Sequence, residues 1–103
     1  MSTDREAQFK QLVAEFPDSP MGHFSLGKLY LDARRYAEAV VPLEEAVRLD
    51  GQYAAALVAL GDAYAGAGQR EKARELLTRA RETALGQSHA SLAEDIDSRL
   101  EDL

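Results

Sequence analysis

Residues 25–46 read SLGKLYLDARRYAEAVVPLEEA, and residues 59–80 read ALGDAYAGAGQREKARELLTRA. The two stretches lie 34 residues apart and keep their landmarks in order. Leu26-Gly27 meets Leu60-Gly61, Tyr30 meets Tyr64, Ala39 meets Ala73, Leu43 meets Leu77, and Ala46 meets Ala80. A constant interval of this size marks a chain built from one supersecondary unit used more than once. Apolar residues in each copy recur at helical spacing, in two runs separated by a short polar or glycine-containing turn. The unit is therefore a helix pair, one copy over 20–53 and the next over 54–87.

Outward from the repeats, each flank holds one more helix. Residues 3–16 carry Phe9, Leu12, Val13 and Phe16 at i, i+3, i+4, i+7, which makes one apolar stripe. Thr3 with Glu6 has the spacing of a capping box, and Pro17 ends the run. Ser19 is expected to cap the next helix, with Pro20 in its first turn. Helices are expected over 20–33, 36–49, 54–67 and 70–85. Pro42 falls in the second turn of its helix and predicts a bend rather than a break. The first turn has Arg34-Arg35 where the second has Gly68, so it is expected to form with more strain. Gly86 reads as a C-terminal stop. Residues 88–102 give a last helix with a narrow stripe of Leu92, Ile96 and Leu100 and an otherwise polar surface, as an end helix requires.

The recurring residues resemble the tetratricopeptide repeat, whose pattern runs W-x2-L-G-x2-Y, A-x3-F, then A and P. The first unit keeps Leu26, Gly27, Tyr30, Ala39 and Ala46, with His23, Leu43 and Gly51 as departures. The second keeps Leu60, Gly61, Tyr64, Ala73 and Ala80, with Leu57, Leu77 and Leu85 as departures. Phe9 and Pro17 echo the end of a preceding unit. The resemblance implies an all-α solenoid of about six antiparallel helices, in one domain over 1–103 with single helices at 1–19 and 88–103. It also suggests why Gly27 and Gly61 stand inside helices. Without a Cβ the partner helix approaches closely, which offsets a propensity cost of roughly 1 kcal/mol.

Composition narrows the function. The net charge of −6 disfavours nucleic acid. The absence of Cys removes disulfides and thiolate chemistry. Neither a signal peptide nor a membrane span is legible, so a cytoplasmic setting is expected. His23 and His89 lie far apart with no ligand cluster near them, and Glu44-Glu45 and Glu101-Asp102 diverge around their helices. Gly66-Ala67-Gly68 joins two helices rather than a strand and a helix, so it is no phosphate loop. No catalytic activity, metal or cofactor is expected.

The family resemblance places partner binding on the first helix of each unit. In this chain that surface comprises Met21, Phe24, Ser25, Lys28, Leu31 and Asp32, then Ala55, Val58, Ala59, Asp62 and Ala65. The implied function is protein–protein interaction through a concave groove. Lys28 and Asp62 are its charged points, expected to pair with each other if they are not free for a ligand. Family members that grip a chaperone's C-terminal carboxylate use Lys, Asn and Arg at positions occupied here by Phe24, Lys28, Ala59, His89 and Ala93, so that ligand is not expected. The alternative is self-association through the stripe of Leu92, Ile96 and Leu100.

Overall fold

A computed structural model describes residues 2–103, with side chains from residue 4 onward. Six helices follow in order: α1 Ser2–Glu15, α2 Pro20–Asp32, α3 Tyr36–Leu49, α4 Ala54–Gly66, α5 Arg70–Gly86 and α6 Ala90–Glu101. No strand occurs among the described residues. Each helix packs on the next in the chain, and α2 also touches α4. The expected all-α solenoid is what forms.

The core lies where the repeated leucines meet. Leu43, Leu57, Leu77 and Ile96 are the largest side chains with essentially no exposure, and Ala39, Ala46, Ala73 and Ala80 are fully enclosed with them. The repeated glycines explain the fit. A Cβ on Gly27 would lie 2.4 Å from Leu43 Cγ, and one on Gly61 would lie 2.7 Å from Leu77 Cγ. The missing methyl makes room for a leucine side chain of the partner helix more than for its backbone. Gly66 does the same job between units. Its added Cβ would come within 2.3 Å of the Tyr36 ring, a contact that its reading as a helix terminator did not suggest.

Three of the five turns between helices share one device. Arg34 has φ 60°, Gly68 φ 82° and Ser88 φ 62°. Each leaves its helix through the left-handed region, which costs a residue with a Cβ roughly 1–2 kcal/mol. The Arg34 turn thus forms as expected, at that strain. The third turn corrects the reading of Gly86, which lies in the last turn of α5 while Ser88 takes the left-handed position. Pro42 is buried inside α3, which continues unbroken across it. Ser19 stands at the N-cap of α2 with extended backbone but makes no side-chain cap bond. The Thr3 half of the capping box lies outside the described side chains. Phe16, expected on the α1 stripe, is 56% exposed where that helix ends.

Polar contacts fasten α1. The Glu6 carboxylate accepts from Arg35 Nη1 at 2.9 Å and from the Tyr30 hydroxyl at 3.1 Å. Lys10 Nζ lies 3.1 Å from the same group. Hydrogen bonds from Arg35 and then Lys10 hold Glu6 down at about 2. A depressed carboxyl stabilises the fold above its ordinary pKa and loses that contribution as pH falls through the folded value. Acid titration from pH 4.5 to about 2 should therefore weaken the docking of α1, followed by amide exchange across residues 4–15. Glu6→Gln should flatten that part of the profile. An unchanged profile would mean that Glu6 does not fasten the helix.

Candidate functional site

Alternate helices line one side of the molecule. Phe24, Lys28 and Leu31 of α2, Ala55, Val58, Ala59 and Asp62 of α4, and Leu92, Asp95 and Arg99 of α6 surround a concavity of about 200 Å³. Its floor is apolar and its charges sit at the rim. Val58 and Ala59 are 8% and 4% exposed, so they form floor rather than contact points. Phe24 leans on Tyr53, with ring centroids 5.1 Å apart, which fixes the wall at the α3–α4 turn.

Seven of the eleven residues expected to line a groove are brought together here. Met21, Ser25, Asp32 and Ala65 are not among them. Met21 is 66% exposed. Asp32 borders a neighbouring depression of about 230 Å³ with Arg5, Phe9, Phe24, Ser25, Lys28 and Leu29. Phe24 and Lys28 belong to both depressions, so α2 forms a ridge between them.

The charges pair differently from expectation. Lys28 Nζ bonds Asp32 Oδ1 at 3.0 Å along α2, with both side chains well exposed. Asp62 instead receives Arg99 Nε at 3.1 Å on each oxygen, and Arg99 Nη1 reaches Asp95 at 2.5 Å. Lys28 and Asp62 face the same groove from different helices, whereas the i,i+4 partner of Lys28 on its own helix lies closer to hand. Partial burial pushes the Asp62 carboxyl up, and Arg99 opposes that rise. The α4–α6 bridge is thus a half-desolvated ion pair at the rim.

The helix that carries Arg99 departs from the 34-residue register. An offset of 34 sets Glu94, Asp95 and Ser98 against the Leu, Gly and Tyr of the motif. But α5 has 17 residues against 14 in α3, and α6 starts 36 residues after α4. At that offset Leu57 meets Ala93, Leu60 meets Ile96 and Tyr64 meets Leu100. Ala93 and Ile96 are buried accordingly, and Leu92 and Leu100 pack against the core. Of the stripe expected as a seam between copies, Ile96 is at 0% exposure while Leu92 and Leu100 are partly buried.

His23 is a packing residue, buried with Nε2 2.8 Å from the Pro17 carbonyl oxygen. No group of three His, Cys, Asp or Glu side chains that could hold a metal occurs among the described residues. No helix of the described residues is long and apolar enough to cross a membrane.

The sequence model of the tetratricopeptide repeat matches residues 30–94. This chain belongs to the tetratricopeptide repeat family. Solved structures agree on the fold. The array is similar to the Yersinia enterocolitica type III secretion translocator chaperone SycD, described in one structure as an alternative dimer. There the TM-score is 0.90 at 19% identity, covering 98% of this chain and 77% of that one. A second structure of the same chaperone gives 0.91 at 17% identity, over 98% and 70%. A Bordetella parapertussis protein, BPP2914, gives 0.81 at 23% identity, over 94% and 84%. None of the curated proteins matches the chain in sequence. Family and fold together support a protein-interaction module.

Proposed function

We propose that this tetratricopeptide array is a non-catalytic binding module, one domain over residues 1–103, that takes a segment of a partner protein on its concave face. The observation that carries the reading is the convergence of α2, α4 and α6 on one apolar floor with a charged rim. Small residues at Ala55 and Ala59 leave the floor shallow, so the partner supplies the bulk: an apolar side chain or two seated between Phe24, Leu31 and Leu92. The rim carries both signs in Lys28, Arg99, Asp62 and Asp95, so it selects for register more than for net charge. A cytoplasmic setting fits this reading.

The test is a double charge insertion, Phe24→Glu with Ala55→Glu, at positions that are not fully buried. The variant should keep its helical circular dichroism and lose about tenfold or more in affinity for partners captured by the natural chain, since ~1.4 kcal/mol is a factor of ten. Retention of every captured partner by a folded variant would rule out the concave face. A second reading is assembly of two copies, favoured by the exposed Phe16, Met21 and Val41. Light scattering over a concentration series decides it, since a mass that stays that of one chain excludes assembly.

A further inference from the structure

A different opening lies across α2 from the concave face. It holds about 520 Å³ between α1 and α3, lined by Val13, His23, Leu26, Tyr30, Glu38, Val41, Pro42 and Glu45. Val13, Leu26, Val41 and Pro42 make its walls apolar, and its charged lining is two carboxylates, each paired with an arginine outside the lining. The corresponding cleft one repeat on, between α3 and α5, differs at the positions that matter. It has Leu76 for Pro42 and Arg79 for Glu45, and Arg48 also lines it. The counterpart of Val41 is Glu75. Val41 is 71% exposed, an apolar residue on the solvent side of a helix whose sister position is charged.

The hydrogen-bonding groups at this cleft point one way. The donors are spent: His23 Nε2 is bonded to the Pro17 carbonyl and the Tyr30 hydroxyl donates to Glu6. What remains is acceptors. Pro42 has no N–H to offer the Glu38 carbonyl four residues before it. Arg35 donates to both oxygens of Glu38, and Arg48 to both oxygens of Glu45, from the ends of the cleft. Each carboxylate has about four acceptor sites, so one arginine leaves room for a second donor. Glu38 and Glu45 are seven residues apart along α3, which is roughly 10 Å.

We propose that this convex cleft is a second docking site, and that its occupant is a basic amphipathic segment of another protein. One apolar side chain of that segment enters between Val13, Leu26, Val41 and Pro42. Lys or Arg side chains on either side of it reach Glu38 and Glu45. A second copy of this chain is the poorer occupant. Pairing α3 with itself about a two-fold axis near Val41 sets Glu38 and Glu45 of each copy against carboxylates of the other.

The experiment is a selection of short random displayed peptides on the full chain, with Val41→Glu as the counter-target. Val41 is exposed, so the substitution is expected to leave the fold intact. Val41→Gln serves in its place if the melt shows otherwise. The expected result is a set of peptides with an apolar residue flanked by Lys or Arg. These should bind about tenfold more weakly to Val41→Glu and to Glu38→Gln/Glu45→Gln, and equally well to Phe24→Glu/Ala55→Glu. The proposal is overturned if no selected peptide responds to Val41→Glu, or if the responsive ones are acidic or uncharged. It is overturned too if Val41→Glu abolishes a concentration-dependent rise in mass, because the occupant is then a second copy.

Discussion

Gly27→Ala is expected to destabilise the protein by about 1–3 kcal/mol, the range for overpacking a filled core. Helix propensity alone argues the opposite, since Ala is the better helix former by roughly 1 kcal/mol. The contact decides the sign. The new methyl would stand 2.4 Å from Leu43 Cγ and 2.6 Å from its Cδ2, and Leu43 has no free space to move into because it is fully buried. Leu43→Ala alone should cost about 2–5 kcal/mol by the opposite mechanism, a cavity. The two together should cost less than the sum, because the added methyl occupies part of the vacated volume. Denaturant titration of the four proteins closes the cycle, and strict additivity would show that the glycine and the leucine do not share that space. Gly61→Ala, at 2.7 Å from Leu77 Cγ, should be milder than Gly27→Ala. Gly86→Ala, with nothing within 4 Å, should be neutral or stabilising.

Leu77→Ala and Leu57→Ala are expected to cost about 2–5 kcal/mol each, as for other buried leucines. Domains of this size hold only about 5–15 kcal/mol in all, so either change removes a large share. At roughly 4–8 °C per kcal/mol for a small domain, the midpoint of thermal unfolding should fall by ten degrees or more. Leu77 sits on α5, which packs on both α4 and α6. Its loss should therefore also free α6, and amide exchange over residues 90–101 should rise with it. A melt that matches the parent would mean that the repeated leucine is not the keystone its burial implies.

Much of the architecture could be read in the chain because the repeat supplies its own control. Leu26, Gly27 and Leu43 occur beside their copies at a fixed offset, so a helix pair is the economical account of both. Boundaries followed from Pro17, Pro20 and Gly68, which act locally through backbone geometry. What stayed hidden depended on partners distant in sequence. Gly66 looks like a helix end until the Tyr36 ring is seen against it. Asp62 and Lys28 look like partners because both lie on first helices, but the bridge runs to Arg99, whose helix is out of phase by two residues. That shift is visible as the longer run of α5, yet nothing in α6 alone identifies it as a third inner wall. The convex cleft had no signal of its own. Pro42 reads only as a bend, and its meeting with Val41 and with Val13 across α2 is what makes an opening.

The pattern of neighbours also bears on how the chain reaches its native state. Apart from the touch between α2 and α4, the main contacts join helices that follow one another directly. Little chain entropy is lost in bringing such partners together, and proteins dominated by local pairing fold in about microseconds to milliseconds. Each helix after the first finds at least one of its partners already made when it leaves the ribosome. Assembly from the N-terminus, one hairpin at a time, is therefore open to this molecule without waiting for the last residues to be synthesised.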